Sequence, residues 1–220
     1  MKRKIVSAVL VFLIRLVCGA VVRKSPRILP DGPLVFFSNH TSNLDFPVIW
    51  AGLPPTVRSR ARPIAASDYW DRGRLRSYLA RNVFKAILIE RRAVTRDNNP
   101  MEAMQAALKE GGCLIVFPEG TRSRSGDLGS FKAGISHLAQ LVPSVPFVPV
   151  YLENLFRILP KGERFPLPLV ATLAFGEPLF FDEAETKETF LTRATDALIE
   201  LSDSGSREGL LGQEVVNESN

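Results

Sequence analysis

Three short, almost uninterrupted apolar runs constrain this chain most: Leu34 to Ser38, Ala86 to Glu90 and Cys113 to Phe117. Each has the length of a strand, and continuous apolarity in place of alternation implies burial on both faces. Each is followed at once by residues able to do chemistry. His40 and Asp45 follow the first run, Arg91 the second, and Glu119, Gly120, Thr121 and Arg122 the third. With helical segments between them, these runs predict an α/β layered domain with a largely parallel or mixed sheet flanked by helices. Ligands of open α/β sheets bind at the carboxyl ends of the strands. The three polar groups are therefore expected on one rim.

Other segments fill in this frame. Asn43 or Ser42 is positioned to cap a helix beginning near Leu44, with Pro47 tolerated in its first turn and Pro54-Pro55 ending it. Arg62 to Ala66 reads as a strand, and Tyr69 to Val83 as a helix broken at Gly73. Pro100 to Leu108 is helical and stops at Gly111-Gly112. A glycine- and serine-rich loop, Gly120 to Ser130, leads to a helix over Lys132 to Leu141. Phe147 to Leu152 and Leu169 to Phe175 are strands, and Glu183 to Leu201 is a long helix. The organisation expected is a hydrophobic membrane-associating segment over 1–28, set off by Pro30, Gly32 and Pro33, one domain over 29–203, and a polar, disordered tail over 204–220.

The first segment carries Lys2-Arg3-Lys4 and then an apolar run from Ile5 to Val22, interrupted by Arg15. It lacks the small-residue cleavage site of a signal peptide. A spanning helix would place Arg15 near the bilayer centre at a cost of about 2.5–3.5 kcal/mol. A helix lying in the cytoplasmic leaflet, with Arg15 snorkelling to headgroups, fits better. The plainer alternative is a hydrophobic helix docked on the domain. Association with the cytoplasmic face of a membrane, the inner one in a bacterium, is the expectation.

A net charge of +5 and a pI near 9.5 point to an anionic partner, whether nucleic acid, acidic headgroups or a phosphorylated substrate. The run of arginines at 58, 60, 62, 72, 74, 76 and 81 lacks the interleaved aromatics of a nucleic-acid platform. No nucleic acid is expected. Two cysteines and two histidines, widely scattered, offer no metal-ligand spacing, so no metal is expected. Cys18 and Cys113 both lie in apolar runs and read as buried or lipid-facing thiols. His137 reads as a helix residue without a catalytic role, and Trp50 and Trp70 as core or interfacial residues.

His40 and Asp45 are separated by four residues, an offset that suits a turn better than one face of a helix. With His40 at the strand end and Asp45 in the first helical turn, the carboxylate can orient one ring nitrogen and leave the other as a base. No serine or cysteine nucleophile is placed beside them, so the nucleophile would be a substrate hydroxyl. A surface histidine bonded to a helix-capping aspartate is the structural alternative. Gly120 permits a tight backbone, Thr121 supplies a hydroxyl and Arg122 can pair with phosphate bidentately, while Arg124 and Lys132 add positive charge. A solvated turn is the alternative for this loop.

These residues resemble the glycerolipid acyltransferase family, typified by 1-acyl-glycerol-3-phosphate acyltransferases. The resemblance runs from about Leu34 to Pro178 and rests on four blocks in order. They are the His-x4-Asp block at His40 and Asp45, the strand ending at Arg91, Phe117-Pro118-Glu119-Gly120-Thr121-Arg122-Ser123, and Val148-Pro149-Val150. Phe131-Lys132-Ala133-Gly134 is similar to the family's continuation after the third block. The resemblance implies a general base at His40 with Asp45 its partner, and an acceptor headgroup held by Arg91, Glu119, Gly120, Thr121 and Arg122. It implies an acyl thioester donor, acyl-coenzyme A or acyl carrier protein, and no cofactor. The acceptor would be a lysophospholipid at a membrane surface, by default 1-acyl-glycerol-3-phosphate. Another acceptor alcohol, or a lipid-binding protein without turnover, is the alternative. Two departures stand out: Lys85 replaces a glycine common in the second block, and Ala65 to Trp70 lacks the lysine common in lysophosphatidate enzymes.

Overall fold

Leu34–Ser38 forms β2, the middle strand of a seven-stranded sheet, and all five of its residues are buried. Its continuous apolarity follows from two cores. Leu34 and Phe36 face one layer with Ile49, Trp50, Ile115 and Val148, while Val35 and Phe37 face the other with Leu108, Leu114, Leu138 and Phe190. The computed structural model describes residues 2–24, 29–90, 99–160, 162–163, 165–167 and 169–217, with side-chain surroundings between residues 5 and 203.

In chain order the elements are α1 (Lys2–Cys18), β1 (Val21–Lys24), β2, α2 (Asp45–Gly52), α3 (Pro55–Arg58), β3 (Ala61–Ala66), α4 (Ser67–Trp70), α5 (Arg74–Tyr78) and a π-helical turn (Leu79–Val83). There follow β4 (Ile87–Ile89), α6 (Pro100–Lys109), β5 (Cys113–Val116), α7 (Gly134–Leu141), β6 (Phe147–Glu153), α8 (Leu155–Ile158), β7 (Thr172–Phe175) and α9 (Lys187–Asn217). The strand order is β1-β7-β6-β2-β5-β3-β4. Only the β6–β7 pair is antiparallel, which makes the sheet mixed and largely parallel, as expected. Because β2, β3 and β5 run the same way, their carboxyl ends share one rim.

Residues 2–24 pack on the sheet and its core. β1 pairs with β7 at the sheet edge, and Ala171 N donates to the Cys18 carbonyl at 2.8 Å. A four-residue strand that joins the last two residues of an apolar run to Arg23 and Lys24 leaves no period of its own, which is why the sequence conceals it. One face of α1 packs Val6, Leu10, Val11, Ile14 and Cys18 against the core around α2, and the other exposes Phe12 (65%) and Leu16 (68%). Arg15 turns to the domain: its guanidinium lies 3.5 Å from the Ala51 carbonyl, beside that of Arg58 at 3.3 Å. Two cations thus meet the negative end of α2, a better account of Arg15 than snorkelling. Burial, and then the Arg15 charge, lower the Arg58 pKa. Among the described residues no helix is long and apolar enough to cross a membrane.

Other expectations hold or shift locally. The helical stretch breaks at Gly73, with φ +85°, and Cys18 and Cys113 are buried free thiols. Lys85 adopts φ +51°, so it keeps the left-handed turn that glycine would take more easily. The last helix extends to Asn217 in place of the polar tail expected from residue 204. Those residues carry no apolar stripe, but elongating a nucleated helix needs only one backbone bond per added residue.

Candidate active site

Where β2 ends, Asn39 continues the sheet with its side chain. Its amide donates to the Leu152 carbonyl at 2.9 Å, and its carbonyl accepts from Leu152 N at 2.9 Å. Asn39 thereby stays anchored to β6 while the backbone turns away at the next residue. That residue is His40.

Asp45 opens α2 and folds back over the turn. Its Oδ2 accepts from Thr41 N at 2.6 Å and Ser42 N at 2.8 Å, and lies 2.7 Å from His40 Nδ1. The carboxylate is fully buried, and among the described residues Oδ1 has no hydrogen-bond partner. Burial pushes the Asp45 carboxyl up, opposed by His40 and by the Ser42 and Thr41 N–H groups. Neither Ser42 nor Asn43 caps α2 as expected: Leu44 holds the cap position without a side-chain bond. The Ser42 hydroxyl donates to the Leu159 carbonyl at 2.6 Å, and Asn43 accepts from Arg122. One carboxylate inside the first turn satisfies the turn's N–H groups and the imidazole together, which releases the neighbouring side chains for tertiary contacts.

The strand β5 delivers the second half of the site. Phe117 stacks on the His40 ring with centroids 4.2 Å apart and planes inclined by 19°. Glu119 is 5% exposed and spends both oxygens on backbone: Oε1 accepts from His40 N at 2.7 Å and Oε2 from Gly129 N at 3.1 Å. A Cβ at Gly129 would stand 2.6 Å from that oxygen. Burial raises the Glu119 pKa, and the two N–H donors and His40 oppose it. Ser123 N donates to the His40 carbonyl at 2.7 Å, so the two turns are laced at both ends of His40. Gly120 sits at φ +69°, and an added Cβ would lie 2.9 Å from Lys132 Nζ.

Two cavities meet at this histidine. A polar one of about 250 Å³ is lined by His40, Ser42, Asn43, Asp68, Trp70 and Arg122. An apolar one of about 310 Å³ is lined by Met101, Met104, Ile135 and Leu138, with His40 and Lys132. Ile64, Ala65, Ala66 and Phe117 border both. With Nδ1 committed to Asp45, Nε2 is the nitrogen left to act as a base where the cavities join.

The family model described as Acyltransferase matches residues 20–153, a span that begins at β1 and ends with β6. The chain belongs to the Acyltransferase family. It is 33% identical over 146 residues to "1-acyl-sn-glycerol-3-phosphate acyltransferase alpha" of Homo sapiens, covering 65% of this chain and 48% of that protein. It is 34% identical over 173 residues to "N-acylphosphatidylethanolamine synthase" of Arabidopsis thaliana, covering 73% and 60%. The chain thus spans about half to three fifths of the length of these relatives. The solved structure of the 1-acyl-sn-glycerophosphate (LPA) acyltransferase PlsC from Thermotoga maritima superposes with a TM-score of 0.73 at 26% identity, over 89% of this chain and 78% of that one.

Within this acyltransferase fold, His40, Asp45, Glu119, Gly120 and Arg122 come together. Thr121 is exposed and borders neither cavity. Arg91 lies outside the described residues. Sequence reasoning missed Asn39, Asn43, Asp68 and Gly129. Asn39 and Asn43 were visible as amides beside a functional histidine, but their partners, Leu152 and Arg122, are remote in sequence. His137 is exposed on α7, its Nδ1 3.3 Å from Lys187 Nζ, away from both cavities. Trp50 is a core residue, whereas Trp70 forms part of the polar cavity wall. Among the described residues no cluster of side chains could hold a metal ion.

Proposed function

We propose that this protein transfers a fatty acyl group from an acyl thioester, acyl-coenzyme A or acyl carrier protein, to the hydroxyl of a lysophospholipid. The reference acceptor is 1-acyl-glycerol-3-phosphate, which would yield phosphatidate. One observation carries the reading: a His–Asp pair stands where a polar cavity holding Arg122 joins an apolar cavity. His40 Nε2 takes the proton of the acceptor hydroxyl as its oxygen bonds to the thioester carbon. The C–S bond then breaks, and the imidazolium returns the proton to the thiolate. Asp45 orients the ring and stabilises its charged form. No covalent enzyme intermediate and no cofactor are needed, so positioning and electrostatics supply the rate.

Arg122 binds the acceptor phosphate, and Asn43 aims it. Glu119 positions His40 instead of touching substrate: its oxygens accept from the His40 and Gly129 N–H groups, and it lines neither cavity. The family resemblance gives Arg91 a headgroup role as well, whereas Gly120 borders the apolar cavity and Thr121 borders neither. The acyl chain lies among Met104, Ile135 and Leu138. The exposed apolar face of α1 beds in the cytoplasmic leaflet, where both lipids reside.

The test is thiol release from long-chain acyl-coenzyme A and acyl carrier protein, with and without 1-acyl-glycerol-3-phosphate, in wild type and His40→Ala. Acceptor-dependent release that the variant loses is the expected result. Release without any acceptor would mean a thioesterase, and silence with both donors across a panel of lysophospholipids would overturn transfer.

A further inference from the structure

Of the residues that line the apolar cavity, only His40 and Lys132 carry polar side chains. A fatty acyl chain has no use for a cation, and Met104, Ile135 and Leu138 already offer the surface it needs. Lys132 is held in place. Its N–H donates to the Pro118 carbonyl at 2.9 Å, and its side chain lies along Gly120. A Cβ on Gly120 would stand 3.2 Å from Lys132 Cδ, 3.1 Å from Cε and 2.9 Å from Nζ. Gly120 follows Glu119, whose Oε1 accepts from His40 N at 2.7 Å, so the loop that carries the ammonium also anchors the base. Among the described residues no carboxylate pairs with Lys132. Attack on a thioester places negative charge on the carbonyl oxygen, and the residues assigned so far leave that charge unanswered. Asp45 is committed to the imidazole, and Arg122 borders the other cavity. In apolar surroundings a fixed counter-charge is worth far more than in water. In both donors the pantetheine arm separates the phosphates from the sulfur, so a cation in the cavity beside the base meets the carbonyl.

We infer that Lys132 is a further catalytic residue, the cation that stabilises the oxyanion formed at the thioester carbonyl. As the acceptor oxygen bonds to the carbonyl carbon, the C=O π pair moves onto oxygen, and the Lys132 ammonium holds that charge without giving up its proton. The pair returns to the C–O bond as the C–S bond breaks, and the imidazolium proton goes to the thiolate. The inference rests on the acyl-transfer reading above and supplies the electrostatic contact that the reading requires.

The experiment measures the single-turnover rate of thiol release from acyl-coenzyme A in the presence of acceptor. The enzymes are wild type, Lys132→Met, which keeps an unbranched stem without the charge, and Lys132→Cys before and after alkylation with 2-bromoethylamine. Alkylation rebuilds a lysine with sulfur at the γ position, and wild type treated alike is the control, its Cys18 and Cys113 being buried. The rate should fall by about 10²–10³-fold in Lys132→Met and in unmodified Lys132→Cys, and alkylation should restore about tenfold or more. The equilibrium Kd of an S-alkyl coenzyme A, which keeps the phosphates and the chain but has no carbonyl, should stay within about twofold of wild type. Three results overturn the role of Lys132 and leave acyl transfer standing. They are an unchanged rate in Lys132→Met, a loss that the new ammonium does not restore, and a matching loss of S-alkyl coenzyme A binding, which would put Lys132 on the donor's phosphates. Absence of acceptor-dependent thiol release in wild type, with every acceptor, overturns acyl transfer itself, and this inference with it.

Discussion

The two cavities that meet at His40 are similar in size, about 250 and 310 Å³, but differ in lining: one gathers polar and charged side chains beside apolar ones, the other is mostly apolar. One is walled by Ser42, Asn43, Asp68 and Arg122, side chains from turns and a short helix at strand ends. The other is walled by Met104, Ile135 and Leu138, side chains from α6 and α7 that also belong to the core on that face. The difference shows how one imidazole can serve two kinds of reactant. Turn residues supply charge that can be aimed, and helix faces supply surface that can only exclude water. The proposed transfer, from an acyl thioester to a lysophospholipid hydroxyl, would use those two environments on either side of His40.

The largest effect that would test this division is His40→Ala. Removing the base shared by both cavities should lower acceptor-dependent thiol release by about 10²–10⁴-fold. Binding of a non-hydrolysable acyl thioester, measured at equilibrium, should stay within a small factor of wild type. Loss of that binding would mean that His40 holds the donor instead of activating the acceptor.

Ile135→Trp should act on the apolar side alone. By shortening the space next to Met104 and Leu138, it should shift kcat/KM from long-chain to short-chain donors on the order of tenfold to a hundredfold. KM for the acceptor should hold. Equal losses across a series of donor chain lengths would place the acyl chain elsewhere.

Arg122→Lys should act on the polar side. It keeps the charge but loses the planar fork that Asn43 aims, so acceptor kcat/KM should fall by about tenfold while donor KM holds. A matching rise in donor KM would show that the arginine reads the donor's phosphates.

The smallest effect concerns the junction itself and depends on pH. Burial raises the folded-state pKa of Asp45. The unfolded chain releases that proton near pH 3.9, and the folded chain holds it to higher pH, so stability falls as pH rises through this window and then levels. Asp45→Asn has no proton to lose. Its melting temperature should therefore gain on wild type as pH rises from about 4, by roughly 2–4 °C for each kcal/mol of difference. A gap that moved the other way would mean that the hydrogen bonds to Oδ2 outweigh desolvation.

How far the sequence could be read depended on whether a residue's partners were local. Leu34–Ser38 was legible to its ends because a strand buried on both faces must be apolar throughout. His40 and Asp45 were legible as a pair because five positions of chain hold them in one turn. For Glu119 the family resemblance implied a headgroup role, and the sequence around it shows no partner for its carboxylate. Its partners are the His40 and Gly129 backbones, the first 79 residues away, and only the fold brings them to it. Arg15 misled in the same manner: beside its neighbours on α1 it looks like a charge seeking headgroups, yet the end of α2 lies within its reach.

The sequence by itself determined the class of fold, the turn that holds His40 and Asp45, and the loop that carries Arg122. Each is encoded by residues within a few positions of one another, where chain geometry permits few outcomes. The tertiary structure alone decided that β1 closes the sheet edge and that Glu119 serves the backbone. It also decided that a carboxylate and an arginine, 54 residues apart in Asp68 and Arg122, face one cavity. Those are outcomes of strand order, and strand order follows from packing a whole sheet between its helices, not from any one segment.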